Sequence, residues 1–378
     1  MNALIISFLL SAVLTLLLVR LAKGPWRQSA DHDLHGPQKF HAVPVPRVGG
    51  VGIAASMLMA AVYADWQVGT AGRHTGLILI ICALPAFAAG LLEDVTKAVS
   101  ARWRLLATAV SALLAIWLLN ALIVQTEIPG LDWLVSWPAG AVFVTVLAVA
   151  GIANSVNIID GFNGLASMCV VIMLVALAYV AFQVGDVLVA TLALAGIGAV
   201  MGFFIWNFPA GLIFLGDGGA YFLGFLVAEL SILLLVRNPD VSPIFPLLVC
   251  IYPVFETVFS IYRRRFLRAV PPSMPDGIHL HSLIYRRVMR WAVGSRSAKA
   301  LTRRNSMTSP YLWLLCMLSV MPAMVFWDNT ALLSVALLLF VVSYVVLYWR
   351  IVRFKSPRWL RFPGVPPRRL RDADNRGL

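Results

Sequence analysis

Long apolar segments alternate with short polar ones along most of the chain, and this pattern predicts membrane-spanning helices. About 17–25 consecutive apolar residues are enough for a helix to cross a bilayer. Charged residues, prolines, glycines and tryptophans separate eleven such segments. We place them at residues 2–20, 48–65, 75–92, 104–124, 138–154, 165–183, 186–206, 218–236, 243–262, 310–327 and 331–349. The predicted fold is all-α and polytopic, with about eleven transmembrane helices.

The composition agrees with an integral membrane protein. Of the 378 residues, 60% are hydrophobic and 12% are charged, whereas soluble domains have about 45–50% and about 25%. The four cysteines are scattered through apolar segments without CxxC spacing, which predicts neither a disulfide framework nor a metal site. No internal repeat is evident, so a transporter built from two repeats gains no support.

The distribution of basic residues predicts the orientation. With eleven spans, 28 of the 30 lysines and arginines fall on one side, and only Arg73 and Arg237 fall on the other. Because basic loops stay in the cytoplasm, the N-terminus is predicted to be periplasmic and the C-terminus cytoplasmic. The net charge of +13 therefore indicates contact with membrane lipids and no nucleic acid. The basic tail, residues 351–378, is expected to lie on anionic headgroups.

Five polar clusters interrupt the apolar pattern, and the predicted topology puts all five on the cytoplasmic side. The most unusual one, Asn154–Ala166, carries three asparagines, one aspartate and two glycines between two apolar segments. Polar groups beside hydrocarbon are costly, so such a cluster is a candidate functional site. The other four clusters are residues 39–50, 93–104, 214–219 and 275–287.

Two adjacent carboxylates, Glu93 and Asp94, follow the third apolar segment. Like charges at this spacing repel each other unless a cation neutralises them, and the pKa of one member can rise. Such a pair suits Mg²⁺ coordination or proton abstraction. The alternative is a helix end at which Lys97 and Arg104 neutralise the pair.

The remaining clusters carry groups suited to phosphate. Arg47 precedes a glycine pair, and free N–H groups at a helix entry attract anions. Asp217 lies between glycines; a lone Asp there is usually an N-cap, but these glycines leave its carboxylate open to a metal–phosphate complex. His279 and His281, at i and i+2, do not share a helix face, which disfavours a helical zinc pair. Beside several arginines, they are better suited to phosphate contact.

Together, the clusters provide carboxylates for Mg²⁺, amides for a base or sugar, and cations for phosphates at one membrane surface. Phosphoryl transfer needs this combination, because catalysis depends on charge neutralisation and on in-line positioning. The membrane location indicates that one substrate is a lipid. A transporter or flippase of an anionic lipid or metabolite is the main alternative, and it predicts polar groups near the bilayer midplane.

The clusters resemble the motifs of the polyprenyl-phosphate N-acetylhexosamine-1-phosphate transferases (glycosyltransferase family 4), the superfamily that also holds the phospho-N-acetylmuramoyl-pentapeptide transferases. The resemblance covers about residues 39–287 in the family's order. Its most specific part is the NxxNxxDGxNGLA box, which matches Asn154–Ala166 almost residue for residue. The PxPRxGG-like, DDxxK-like, FLGDxG and HxH-type motifs match the other four clusters.

The resemblance implies an enzyme that uses Mg²⁺, with Mn²⁺ as the alternative. It would move a sugar-1-phosphate from a UDP-N-acetylhexosamine to undecaprenyl or another polyprenyl phosphate, releasing UMP and initiating cell-envelope polysaccharide synthesis. Residues 1–350 would form a single transferase domain in the bacterial inner membrane, with its active site facing the cytoplasm.

The resemblance also implies roles for individual residues. The catalytic positions are Asp94, Glu93 and Asp160, and the metal ligands are Asp217 and Asp94. The substrate-binding positions are Asn157, Asn163, Lys97, Arg104, His279, His281 and Arg47.

Two departures from the family pattern refine this prediction. Glu93 stands where Asp is usual, so Glu93 is the weaker candidate of the acidic pair and an inactive scaffolding homologue stays an alternative. The loop with His279 and His281 lacks a further adjacent histidine, whereas the muramoyl-pentapeptide branch has a run of three, and Asn163 stands where that branch has Asp. Both differences favour the GlcNAc-type branch over the muramoyl-pentapeptide branch. The UDP-sugar, the polysaccharide pathway (O-antigen, capsule, teichoic acid or glycoprotein glycan) and a homodimer are left open.

Overall fold

The computed structural model describes residues 1–22, 30–31, 45–68, 74–267, 278–289 and 298–353. Most of these residues are helical. Residues 39–44 of the first polar cluster, residues 275–277 of the last cluster and residues 354–378 of the basic tail lie outside the described residues, so the predictions made for them stay predictions.

The helices in the described ranges form a single bundle. In chain order they are α1 (Asn2–Ala22), α2 (Gly49–Val68), α3 (Thr75–Thr96), α4 (Ala101–Leu119), α5 (Leu131–Val135), α6 (Pro138–Ile159), α7 (Leu165–Gln183), α8 (Val187–Asn207), α9 (Gly216–Arg237), α10 (Ile244–Val249), α11 (Ile251–Tyr262), α12 (Leu280–Leu283), α13 (Ala298–Val325) and α14 (Thr330–Val352). Short π-helical turns, Arg263–Leu267 and Ile284–Val288, continue α11 and α12. Two short strands, β1 (Ala30–Asp31) and β2 (Val45–Pro46), pair antiparallel.

The predicted all-α membrane architecture is confirmed. Ten described helices are long and apolar enough to cross a bilayer. The ninth predicted span, residues 243–262, is present but is divided at Cys250 into α10 and α11. Pro246 and Pro253 lie in this region, and a proline supplies no backbone N–H to a helix.

Several helices extend further into polar sequence than predicted. α6 continues to Ile159, so Asn154 and Asn157 lie on a helix and not in a loop. α13 begins at residue 298, well before the predicted start at residue 310. The predicted helix bounds were too short because polar residues mark only where a helix leaves the hydrocarbon. The helix itself ends where its backbone N–H and C=O groups find partners outside the helix.

Helix α9 forms the centre of the bundle. Every residue from Gly216 to Leu234 is buried, and α2, α3, α6 and α7 pack around it. A helix that is apolar on all sides is expected in such a position. By contrast, α1 and α14 lie at the periphery and expose large apolar side chains, such as Leu9 and Leu338, to the surroundings.

Small residues allow the helices around α9 to approach at one end of the bundle. A Cβ on Gly50 of α2 would overlap the Cα atom of Gly219 in α9. A Cβ on Gly90 of α3 would lie 2.6 Å from the carbonyl carbon of Asp217. Backbone contact through small residues is a usual way of packing helices in membranes.

An ion pair lies at the opposite end of the bundle. It involves Arg237, one of the two basic residues that the predicted topology places on the other side of the membrane from the rest. Arg237 ends α9, and its Nε lies 2.7 Å from Oδ2 of Asp186, the N-cap of α8. The polar clusters described below gather at the other end of α9. The structure thus separates Arg237 from the clusters, and which end faces the cytoplasm stays a prediction.

The close approach of α2 and α9 predicts a large effect of one methyl group. We expect Gly50→Ala to destabilise the protein by about 1–3 kcal/mol, because overpacking forces the two helices apart. Gly151→Ala is the matched control, since a Cβ on Gly151 in α6 meets no atom within 4 Å. Thermal unfolding in detergent should show a lower melting temperature for the first variant alone. Equal melting temperatures for both variants would contradict the described packing.

Candidate active site

A polar cavity of about 370 Å³ lies at the end of the bundle where α3, α6 and α9 meet. Described residues of all five predicted clusters line this cavity. The residues that line it are Arg47, Glu93, Arg104, Asn157, Ile158, Asp160, Gly161, Phe162, Asn163, Asn207, Phe214, Asp217, His279, His281, Ser282 and Asn305.

The first turn of α9 is held by Asp94 of α3. One carboxylate oxygen of Asp94 accepts a hydrogen bond from the backbone N–H of Asp217 and the other from that of Gly218, each at 2.9 Å. The first N–H groups of a helix have no partner within the helix, and a negative charge there also complements the helix dipole. With a side chain only 1% exposed, Asp94 acts as the cap of α9 from a different helix.

A second brace joins the Arg47 segment to the same helix start. Phe214 N–H donates to the carbonyl of Pro46 at 2.8 Å, and Gly50 N–H donates to the carbonyl of Leu215 at 2.9 Å. Gly216 then takes a φ of +77°, a conformation that favours glycine. The two motifs, distant in sequence, therefore fold as one unit that brings Arg47 to the start of α9.

Two arginines neutralise the carboxylate of Asp217. Arg104 forms an ion pair with one of its oxygens, and Nη2 of Arg47 lies 3.4 Å from the other. The guanidinium of Arg104 also lies 5.8 Å from the ring centroid of Tyr221, whose hydroxyl donates to Asn154 at 3.1 Å. A carboxylate and two cations thus face one cavity, which is a suitable arrangement for a metal–phosphate substrate.

Asp160 lies at the end of α6 and lines the cavity. Burial raises the pKa of its carboxyl to about 7, with Arg47 lowering and Asp94 raising this value. A carboxyl that titrates near neutral pH can take up and release a proton under physiological conditions. Among the lining acids, Asp160 is therefore suited to acid–base chemistry.

The turn after Asp160 is fastened to α13. Backbone N–H of Asn163 donates to Oδ1 of Asn305 at 2.8 Å, and the Asn163 side chain donates to Ser306 at 3.2 Å and to the carbonyl of Pro209 at 3.3 Å. Asn207 accepts from Gly164 N–H at 2.6 Å. The side chain of Asn163 is thus used in holding the turn, and this geometry favours a bracing role over the predicted direct contact with substrate.

His279 and His281 form another wall of the cavity. Their rings stack, with centroids 5.0 Å apart and an interplanar angle of 7°. The His281 ring also meets Phe162 of the α6–α7 turn edge-on, with centroids 5.6 Å apart. Because the backbone at His279 is extended before α12 begins, alternate residues point to the same side. The two imidazoles therefore share a face, as a helical pair at this spacing would not.

Most of the predicted site residues line the cavity, and two do not. Asp94 and Lys97 are absent from the described lining of the cavity. Lys97 ends α3 in a left-handed conformation, with φ of 57°. Glu93 does line the cavity, but its carboxylate accepts a hydrogen bond from Val99 N–H at 2.8 Å. The acidic pair thus separates into a buried cap and a lining residue that braces the α3–α4 turn.

Sequence reasoning missed three residues that shape this site. Asn207 and Asn305 brace the α6–α7 turn, and no sequence signal distinguishes them from other polar residues near helix ends. Glu256 lies in α11 and contacts the histidine loop. An acidic residue inside a predicted membrane span is itself a functional signal, so Glu256 could have been found.

The lining residues fit a magnesium ion that is shared with a substrate. Among the described residues, no group of three or more His, Cys, Asp or Glu side chains is arranged to hold a metal. Mg²⁺ in phosphate-transfer sites needs only one or two carboxylates together with phosphates and water. Asp217 can supply such a carboxylate. Both oxygens of Asp94 accept from backbone amides, which favours Asp217 as the principal ligand, and the predicted ligand role of Asp94 stays a prediction.

Comparison with known proteins identifies the family. A family model described as glycosyl transferase family 4 matches residues 76–235. A probable undecaprenyl-phosphate N-acetylglucosaminyl 1-phosphate transferase of Bacillus subtilis (strain 168) is 30% identical over 294 residues, 74% of this chain and 77% of that protein. The chain belongs to glycosyl transferase family 4. The predicted family is thereby confirmed, and so is the prediction that the protein is a transferase enzyme.

Three further proteins show how much of the chain the similarity covers. An undecaprenyl-phosphate alpha-N-acetylglucosaminyl 1-phosphate transferase of Thermotoga maritima is 28% identical over 76% of this chain and 81% of that protein. A phospho-N-acetylmuramoyl-pentapeptide-transferase of Streptococcus thermophilus (strain CNRZ 1066) is 42% identical, but over 24% of this chain and 26% of that protein. Another such transferase, of Geobacillus kaustophilus (strain HTA426), is 28% identical over 61% of this chain and 74% of that protein. The similarity to the two N-acetylglucosaminyl members thus extends over more of the chain, which agrees with the branch that the histidine loop predicted.

The different positions of the two adjacent acids predict different effects of the same substitution. We expect Asp94→Asn to destabilise the protein by about 1–3 kcal/mol, because an amide offers one acceptor oxygen to two buried N–H groups. Glu93→Gln, the matched control, retains an acceptor for Val99 N–H and should change stability by less than about 0.5 kcal/mol. Melting temperatures in detergent measure the difference. An Asp94 variant as stable as the Glu93 variant would contradict the capping role.

Proposed function

We propose that this enzyme transfers a sugar-1-phosphate of the N-acetylhexosamine type from a UDP-sugar to undecaprenyl or another polyprenyl phosphate. The products are a polyprenyl-diphospho-sugar and UMP. The observation that carries the proposal is one cavity at a helix-bundle end that combines carboxylates, arginines and a histidine pair. The names of the two N-acetylglucosaminyl relatives give the same acceptor and the same type of transferred group.

The bond changes follow from the substrates. An oxygen of the lipid phosphate forms a bond to the β-phosphorus of the UDP-sugar. The bond between this phosphorus and the oxygen bridging to the α-phosphorus breaks, and UMP leaves with that oxygen. Transfer in line requires both phosphates to be held within one cavity while their negative charges are offset.

The cations of the cavity supply much of this offset. Arg47 and Arg104, now paired with Asp217, are placed to exchange that carboxylate for a diphosphate. His279 and His281 face the same space. Asp217 would hold Mg²⁺, which would supply further neutralisation of charge on the phosphates. The ends of α3 and α9 keep these groups at fixed positions.

Asp160 is the residue that we assign as the base. It takes the proton of the lipid phosphate when that group arrives as a monoanion, so that an unprotonated oxygen attacks phosphorus. The pKa of about 7 for its carboxyl suits proton uptake near neutral pH. Asp94, the other candidate, is engaged by two backbone amides and is closed off from the cavity.

The same proposal includes the cellular setting. We place the protein in the bacterial inner membrane with the cavity at the cytoplasmic face, because 28 of its 30 basic residues fall on that side of the predicted topology. Nucleotide sugars are then supplied from the cytoplasm, and the product initiates a cell-envelope polysaccharide.

The activity can be tested directly. Detergent-purified protein with Mg²⁺, undecaprenyl phosphate and UDP-GlcNAc should release UMP, and a chelator should abolish the release. A panel of other UDP-sugars, including UDP-GalNAc, identifies the preferred donor. Asp217→Asn should lower the rate by about 10²–10³, the loss expected when one group that stabilises transition-state charge is removed. No UMP release with any UDP-sugar would overturn the proposal and leave a scaffolding role.

The role of Asp160 predicts a pH dependence. The carboxyl acts as a base only when it is deprotonated, so the rate should rise with pH and level off above about 7. Asp160→Asn should lower the rate by about 10²–10⁴ and remove this rise. Asp240→Asn, at an exposed position beyond the opposite end of α9, should leave the pH profile unchanged. A profile that keeps its rise in the Asp160 variant would assign the base elsewhere.

A further inference from the structure

Glu256 is a buried carboxylate that none of the five motifs contains. It lies in the second half of the divided span, six residues before the end of α11, and its side chain is 1% exposed. Charges in such a position are kept only where other groups compensate them. Its surroundings therefore indicate what this carboxylate does.

The Glu256 carboxylate faces the histidine loop with one oxygen. Oε1 accepts a hydrogen bond from Leu280 N–H at 2.7 Å. The same oxygen lies 3.3 Å from Nδ1 of His279 and 3.7 Å from Nδ1 of His281. One buried oxygen thus contacts the residue between the two histidines and both imidazole rings.

The other carboxylate oxygen connects the loop to the last helix. Oε2 accepts a hydrogen bond from the hydroxyl of Tyr344 in α14 at 2.8 Å. Arg263 reinforces the same connection, since it donates to the hydroxyl of Tyr348 at 2.6 Å and to the carbonyl of Ile278 at 2.7 Å. The orientation of the carboxylate is therefore set from two sides.

We propose that Glu256 is a positioning residue for His279 and His281, which turns Nδ1 of both rings toward itself and leaves Nε2 for the phosphates of the donor. An acid that faces one ring nitrogen orients the imidazole and leaves the other nitrogen for a ligand. Nε2 of His281 points to the α6–α7 turn, where a Cβ on Gly161 would lie 3.7 Å from it. The inference rests on the proposed function only in the identity of the ligand.

Other ionisable groups surround the histidine pair, and Glu256 is the nearest acid among those described. Asp160, from the α6–α7 turn, lines the same cavity. Arg304 lies over the ring of Tyr285, with its guanidinium carbon 4.1 Å from the ring centroid. Near the carboxylate itself lie Tyr252 of α11 and Tyr344 of α14. Arg263, in the turn after α11, lies close to Tyr344 and donates to Tyr348 of α14. Removal of the Glu256 charge should therefore act on both imidazoles together.

The test uses UDP as a probe, with its affinity measured by calorimetry at one fixed pH. We expect UDP to bind Glu256→Gln about tenfold more weakly than the wild type, because removal of a group that orients ligand side chains typically costs about 10- to 100-fold. The KM for the UDP-sugar should rise accordingly while kcat changes little.

Two further variants separate positioning from a purely structural role. Tyr344→Phe removes the hydrogen bond to Oε2 but keeps the carboxylate, so it should lower the melting temperature and leave the affinity for UDP unchanged. Glu229→Gln changes another buried carboxyl group, in the middle of α9, which has no hydrogen-bond partner among the described residues, and it should not change the affinity for UDP. Equal affinity for UDP in all variants would overturn the inference, as would an equal loss of affinity in Tyr344→Phe. UMP release by the wild type tests the proposed function separately.

Discussion

The candidate site depends on one interaction, in which Asp94 of α3 accepts hydrogen bonds from the first free amides of α9. A helix start buried among other helices cannot use water for its N–H groups, so a carboxylate from a neighbouring helix takes that role. The cap fixes the rotation of α9 and with it the direction of Asp217. Because Gly50 and Gly90 allow α2 and α3 to approach the same turn, Arg47 is placed next to the Asp217 carboxylate.

The electrostatics of the cavity follow from this arrangement. Asp217 is neutralised by two arginines, and the buried Asp94 lies close to Arg47. Before substrate binds, these charges largely compensate one another, which lowers the cost of keeping them at the edge of the membrane. A diphosphate or a metal–diphosphate competes for the same partners, so binding exchanges existing ion pairs for new ones. Burial contributes in a second way, by raising the pKa of Asp160 to about 7.

The histidine wall and the α6–α7 turn are held from the opposite side by the last two long helices. α13 fastens the turn through Asn305 and Ser306, and α14 reaches the histidine loop through Tyr344 and Glu256. Neither helix lies within the part of the chain that the family model matches, residues 76–235. The site thus rests partly on packing from outside the matched region. This explains why a buried glutamate outside the motifs can influence the site.

The sequence by itself determined the membrane-spanning architecture, the family and most members of the site. Apolar length is read directly from composition, and motifs such as Asn154–Ala166 retain their spacing whatever the packing is. Only the tertiary structure decided the role of each residue. Adjacent in sequence, Glu93 and Asp94 point in different directions because they lie on one helix, and only Asp94 faces α9. Asn163 lost its predicted contact with substrate and Glu256 gained a role at the site for a related reason. Their hydrogen-bond partners come from α13 and α14, which lie far away in the chain, and no local sequence pattern encodes such partners.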